Sequence, residues 1–167
     1  GRDLWVCPTG STCPETGTTI IELDPGLAFG AGSHPTTALC LDWLTDSKSR
    51  TGTVLDYGCG SGILSVAALM LGAGRVLAID LDEQALQATH DNAVRNRVIG
   101  RLVVSPPGAA HGTSGDKQTY DRIVATILSG TLVELADELL GFGHTGTRVA
   151  LGGILTDQAH YAPAADP

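Results

Sequence analysis

Short apolar runs along this chain alternate with longer stretches whose apolar positions recur every three or four residues. Val54-Leu55-Asp56-Tyr57, Arg75-Val76-Leu77-Ala78-Ile79, Leu102-Val103-Val104, Tyr120-Asp121-Arg122-Ile123-Val124-Ala125-Thr126 and Arg148-Val149-Ala150-Leu151 have the length and β-branched content of buried strands. Helical spacing fills the gaps between them. Pro35 suits the first position of a helix capped by Ser33 or His34, with Ala38, Leu39, Leu41, Trp43 and Leu44 as its apolar face to about Asp46. Ile63 to Leu71 is apolar almost all round, as befits a helix packed between a sheet and other helices, and Gly72 and Gly74 close it. Asp82 to Asn96 is polar-faced and carries Leu86, Ala93 and Val94, and Leu132, Leu135, Ala136, Leu139 and Leu140 form a 3-4-3-4 stripe. A last short helix is expected from Thr156. The alternation predicts an α/β, Rossmann-like fold: a parallel sheet with helices on both faces, ordered 3-2-1-4-5 by right-handed crossovers.

Residues 1–33 read differently. They are rich in Gly, Pro, Thr and Ser, with two short β-like runs, Leu4-Trp5-Val6-Cys7 and Thr19-Ile20-Ile21-Glu22-Leu23, expected to form an entry hairpin. Residues 34–167 are expected to form the ligand-binding domain. Pro25-Gly26 and the glycines at 30 and 32 mark a mobile loop between Asp24 and Thr37, and Pro106 to Thr119 reads as a second loop.

The candidate chemistry lies where the first buried strand runs out. Gly58-Cys59-Gly60-Ser61-Gly62 spaces three glycines two apart before a helix, so the backbone can turn sharply and approach a ligand. Asp80 ends the next strand, about 20 residues on, where a carboxylate accepts hydrogen bonds from two ribose hydroxyls. Gly58, Asp80 and Thr126 all fall at the carboxyl ends of strands, where such sheets bind ligands. The dinucleotide fingerprint needs its third glycine three residues after the second, but Ile63 stands there. Asp56 would also bring negative charge to a pyrophosphate. A cofactor with ribose and a cationic end, such as S-adenosylmethionine, fits better than NAD.

Composition narrows the partners. The 167 residues carry a net charge of −8, which leaves no basic footprint for a nucleic-acid backbone and suits a basic protein substrate or plain solubility. No stretch approaches the ~18 apolar residues of a membrane span, and the N-terminus lacks a signal pattern, so a soluble, cytoplasmic protein is expected. Cys7 and Cys13 could bridge or bind a metal, but with no second close pair among the four cysteines the balance favours free thiols and no metal site.

Two stretches make the chain resemble a class I methyltransferase, and more narrowly the PrmA family, which methylates large-subunit ribosomal protein eleven. These are Leu23-Asp24-Pro25-Gly26-Leu27-Ala28-Phe29-Gly30 through His34-Pro35-Thr36-Thr37-Ala38-Leu39-Cys40-Leu41, and Asp56-Tyr57-Gly58-Cys59-Gly60-Ser61-Gly62-Ile63-Leu64. Ile79-Asp80-Leu81-Asp82, Asp91-Asn92-Ala93 and Gly152-Gly153-Ile154-Leu155 extend the likeness to nearly the whole chain. The resemblance implies that Thr37, Gly58 and Asp80 contact S-adenosylmethionine, with Gly60 and Thr126 completing the cofactor-binding set. Phe29 would either face the sulfonium or pack under its own loop, and His34 would act as a helix cap. It also implies methylation of lysine ε-amino or N-terminal α-amino groups of a ribosomal protein. No catalytic side chain need be sought, because an in-line displacement chiefly requires a positioned nucleophile.

Three departures from the family pattern stand out. Thr126 occupies the place of an Asn whose amide helps hold cofactor and substrate nitrogen, and neither the family's N-terminal substrate-gripping domain before Leu4 nor the two strands usual after the fifth is expected within these 167 residues. The same cofactor with another protein or a small molecule as acceptor, and a catalytically impaired cofactor-binding fragment, are the competing expectations.

Overall fold

A computed structural model describes residues 4–13, 19–24, 34–46, 51–108 and 118–153. Five strands form one parallel sheet: β3 (Thr53–Tyr57), β4 (Arg75–Ile79), β5 (Leu102–Ser105), β6 (Arg122–Thr126) and β7 (Arg148–Gly152), in the order β5-β4-β3-β6-β7. Counted from β3, that is the expected 3-2-1-4-5.

Side-chain alternation divides the core in two. Val54, Val76, Ala78 and Val124 face a cluster that holds Leu41 and Leu44 of α1 (Pro35–Asp46), Ile63 and Val66 of α2 (Ile63–Met70) and Ala93 of α3 (Glu83–Arg95). Their neighbours Leu55, Tyr57, Leu77, Ile79, Ile123 and Ala125 face the other way, onto Leu132 of α4 (Ser129–Glu134) and Leu139 of α5 (Ala136–Gly141). Strands covered on both faces have no polar alternation, so they read as unbroken apolar runs. None of the described helices is long and apolar enough to cross a membrane.

Four expectations need correction. β1 (Leu4–Pro8) and β2 (Thr19–Leu23) do pair, but in parallel, so they are not a hairpin. The ten-residue connection is long enough to carry the chain back along a five-residue strand before it pairs. Leu4, Ile21 and Leu23 of this pair are buried in the same core as α1 and α2, so the entry segment belongs to the main fold. Cys7 and Cys13 form a disulfide rather than standing as free thiols. A turn closed by Ser11 N–H donating to Pro8 O (3.0 Å), with Gly10 at φ +80°, folds the chain back and brings them together. The stripe from Leu132 to Leu140 is not one helix but two, broken at Leu135, with Leu139 buried and Leu140 exposed. On α3 the buried positions are Ala85, Thr89, Asn92 and Ala93, and Val94 is exposed. The loop containing Phe29 and the helix expected from Thr156 lie outside the described residues.

Candidate functional site

The end of β3 hooks onto its neighbour. Gly58 N–H and Cys59 N–H both donate to Ile79 O, at 2.8 and 3.0 Å, which ties the start of the glycine loop to the tip of β4. Gly58 and Gly62 lie at φ +80° and +78°, in the left-handed region. A Cβ on Gly58 would run into Ile127 Cγ2, and one on Gly62 would sit 2.8 Å from Thr89 Cα. Strand-to-helix packing at this tightness excludes any larger side chain at either position.

Asp80 binds the loop from the side. Its Oδ2 accepts from Gly60 N–H (2.9 Å) and its Oδ1 from Asp82 N–H (3.1 Å). Each oxygen has two acceptor positions, so each retains one for a further donor. Asp82 in turn caps α3, its side chain accepting from Gln84 N–H at 2.9 Å.

Asp56 lies beneath the loop, 1% exposed. Ser65 holds its Oδ2 through a 2.6 Å hydroxyl bond and its backbone N–H, while Oδ1 has no partner. Burial pushes this carboxyl up to about 6, against the pull of the Ser65 bonds, and the negative charge of Asp80 adds to the rise. Cys59 is no nucleophile: burial, then the charge of Asp56, drives its thiol far above the ordinary range.

These bonds decide which ligand the loop suits. The N–H groups of Gly58, Cys59, Gly60 and Gly62 are all spent within the protein, Gly62 donating to Cys59 O at 2.8 Å. Asp56 already occupies the first turn of α2 with a carboxylate. A pyrophosphate needs free N–H donors and a positive helix end there. The three glycines have no free N–H to give, and the Asp56 carboxylate opposes a second negative group at the helix start. The loop offers two carboxylates and, on Asp56, one buried oxygen still lacking a donor, which suits a ligand with hydroxyl groups and a cationic end better than a pyrophosphate.

Thr126 closes the other side. Its Oγ1 donates to Gly58 O at 3.1 Å, so its single hydrogen is already used. The first turn of α1 abuts the same strand ends, since a Cβ built on Gly152 would meet Thr36 Cγ2 and lie 3.1 Å from Thr126 Cγ2. His34 Nδ1 accepts from Thr36 N–H (3.3 Å), which is the expected capping role. Thr37 follows in that turn, half-buried.

The sequence model of the family described as ribosomal protein L11 methyltransferase (PrmA) matches residues 1–165. The chain belongs to that family. It is 51% identical over 159 residues to the ribosomal protein L11 methyltransferase of Methylococcus capsulatus, covering 95% of this chain and 53% of that protein. It is 48% identical over 166 residues to the one from Azotobacter vinelandii, covering 99% and 55%. The chain thus spans about half the length of these curated relatives. Among solved structures, the ribosomal protein L11 methylase of Lactobacillus delbrueckii subsp. bulgaricus superposes with a TM-score of 0.83 at 32% identity, over 96% of this chain and 81% of that one. A precorrin-6y C5,15-methyltransferase from Geobacter metallireducens shares the fold, with a TM-score of 0.60 at 22% identity over 75% and 65%.

Within this member of the ribosomal protein L11 methyltransferase family, hydrogen bonds join four of the five candidate residues in two pairs, Gly60 with Asp80 and Gly58 with Thr126. Thr37 shares their end of the sheet through the turn it stands in. Sequence reasoning passed over Ser65, which fixes Asp56, and Thr89, which donates to Gly60 O at 3.1 Å. It also gave no role to Asn92, whose Nδ2 donates to Ser61 O at 2.9 Å. A signal was present: polar residues on the buried stripe of a helix need partners inside the protein.

Proposed function

We propose that this chain binds S-adenosylmethionine and transfers its methyl group to lysine ε-amino or N-terminal α-amino groups of large-subunit ribosomal protein L11. The observation that carries the reading is the pair of carboxylates flanking a loop whose three glycine N–H groups are spent within the protein. Asp80 keeps an acceptor position on each oxygen for two ribose hydroxyls. Asp56, buried beneath the loop, supplies negative charge and an unpartnered oxygen that complement the cationic amino-acid end. Gly58 and Gly60 leave room for the ligand, and Thr37 and Thr126 border it. When bound, S-adenosylmethionine supplies an electrophilic methyl group.

Names of relatives near half identity over almost all of this chain support the ribosomal protein as acceptor. With such an acceptor, the cytoplasm is the compartment we propose for the reaction. The test is transfer of labelled methyl from S-adenosylmethionine to purified ribosomal protein L11, with the modified amine located by mass spectrometry. Label on a lysine or the N-terminus supports the reading, and binding of the cofactor without any label contradicts its second half.

One observation favours a weaker second reading, a cofactor-binding domain slow in transfer. The family's Asn has two amide hydrogens, whereas Thr126 has one, already given to Gly58 O. Thr126→Asn is then expected to raise the transfer rate about tenfold or more while changing S-adenosylmethionine affinity less than about threefold, a barrier change of roughly 1.4 kcal/mol. Equal rates for the two proteins would remove this reading.

A further inference from the structure

Among the described residues β2 has a ladder partner on only one edge, yet the peptide groups of Glu22 and Asp24 on its other side are satisfied. Two asparagines one turn apart, Asn92 in α3 and Asn96 at its C-terminal cap, take the place of a strand. Asn96 Oδ1 accepts from Glu22 N–H (3.0 Å) and its Nδ2 donates to Glu22 O (2.7 Å). Asn92 repeats the pattern two residues along, accepting from Asp24 N–H (2.9 Å) and donating to Asp24 O (3.0 Å). A side-chain amide carries the same donor and acceptor as a peptide, and four residues of helix advance about 6 Å, close to the two-residue repeat of a strand.

The two asparagines differ in one respect. The second hydrogen of Asn92 Nδ2 goes to Ser61 O in the glycine loop (2.9 Å), while Arg95 Nη1 donates to its Oδ1 (2.8 Å). All four hydrogen-bonding positions of Asn92 are therefore filled, at 1% exposure. The second hydrogen of Asn96 instead returns to Asn92 O, within α3 (2.8 Å).

We infer that Asn92 is a positioning residue for the cofactor site: it locks the glycine loop, through Ser61 O, to the end of β2, while Asn96 serves β2 alone. The first half rests on the cofactor reading above; the mechanical coupling stands without it. The loop has no side-chain bulk of its own at Gly58, Gly60 and Gly62, so its path depends on what holds its backbone. Asn92 holds it from α3, as Asp80 does from β4.

The experiment compares Asn92→Ala, Asn92→Asp and Asn96→Ala with the wild-type chain. Asn92→Asp keeps size and acceptors while losing both donors, and so serves if the alanine variant does not fold. Hydrogen exchange on the ligand-free proteins is read first. Either Asn92 variant is expected to speed exchange at Gly60 and Gly62 at least tenfold, and Asn92→Ala, which also removes the acceptor of Asp24 N–H, to speed it at Asp24; Asn96→Ala speeds it at Glu22 and leaves the loop within about twofold. Calorimetric titration of S-adenosylmethionine follows, with at least a tenfold loss of affinity expected for Asn92→Asp and less than twofold for Asn96→Ala. Loop exchange unchanged in both Asn92 variants, or raised equally by Asn96→Ala, overturns the inference. A wild-type chain that does not bind S-adenosylmethionine overturns the cofactor reading, and the exchange data still decide the coupling.

Discussion

At the scale of single residues, Asp56 is the group whose protonation couples stability to pH. Its carboxyl is raised to about 6 by burial, so between roughly pH 4 and 6 the folded chain holds a proton that the unfolded chain has released. Stability from this group is fully present below the ordinary carboxylate range and is lost as pH climbs through its folded value. By pH 7 the loss amounts to about 3 kcal/mol. Asp56→Asn cannot ionise and keeps an acceptor for Ser65. Urea unfolding should therefore find this variant more stable than wild type at pH 7 by roughly 1–3 kcal/mol, the gap closing toward pH 4. An equal gap at both pH values would mean that Asp56 does not titrate where its burial places it. In sequence Asp56 was legible as a negative charge near the loop. Its orphaned oxygen was not, because that depends on which way Ser65 turns, nine residues away.

At the scale of elements, what was legible follows from burial. The five sheet strands and α2 carry apolar side chains on every face that meets the core, so their runs announce themselves whatever their partners. The β1–β2 pairing, the Cys7–Cys13 bridge and the Asn92–Asn96 edge depend on the direction a short segment takes in space, to which local spacing is blind. The break at Leu135 is of the same kind, since a 3-4 stripe continues through a kink that keeps Leu132 and Leu139 on the core. α3 offers a test confined to one element. Its cap, Asp82, accepts from Gln84 N–H through its side chain but holds Asp80 through its backbone N–H. Asp82→Ala is thus expected to lower unfolding stability by about 1 kcal/mol while leaving S-adenosylmethionine affinity within about twofold, by denaturation and calorimetry. A large affinity loss would place the side chain of Asp82 in the site.

At the scale of the whole molecule, the sheet order is what brings the candidate site residues together. Placing β3 between β4 and β6 sets Gly58 beside both Asp80 and Thr126, although 20 and more residues separate them in sequence. Helices α1 to α3 cover one face, and α1 delivers its first turn to the strand ends. The matching residues span about half of the curated relatives, and within that half lies every group the cofactor reading uses. The measurement that bears most directly on this account is calorimetric titration of S-adenosylmethionine into the chain and into Asp80→Ala, with NAD as the control ligand. Saturable binding to wild type, weakened by about 1.5–3 kcal/mol in Asp80→Ala through the lost charge-assisted bonds, and no binding of NAD, is the predicted result. Equal affinity of the two proteins for S-adenosylmethionine, or binding of NAD in its place, would contradict it.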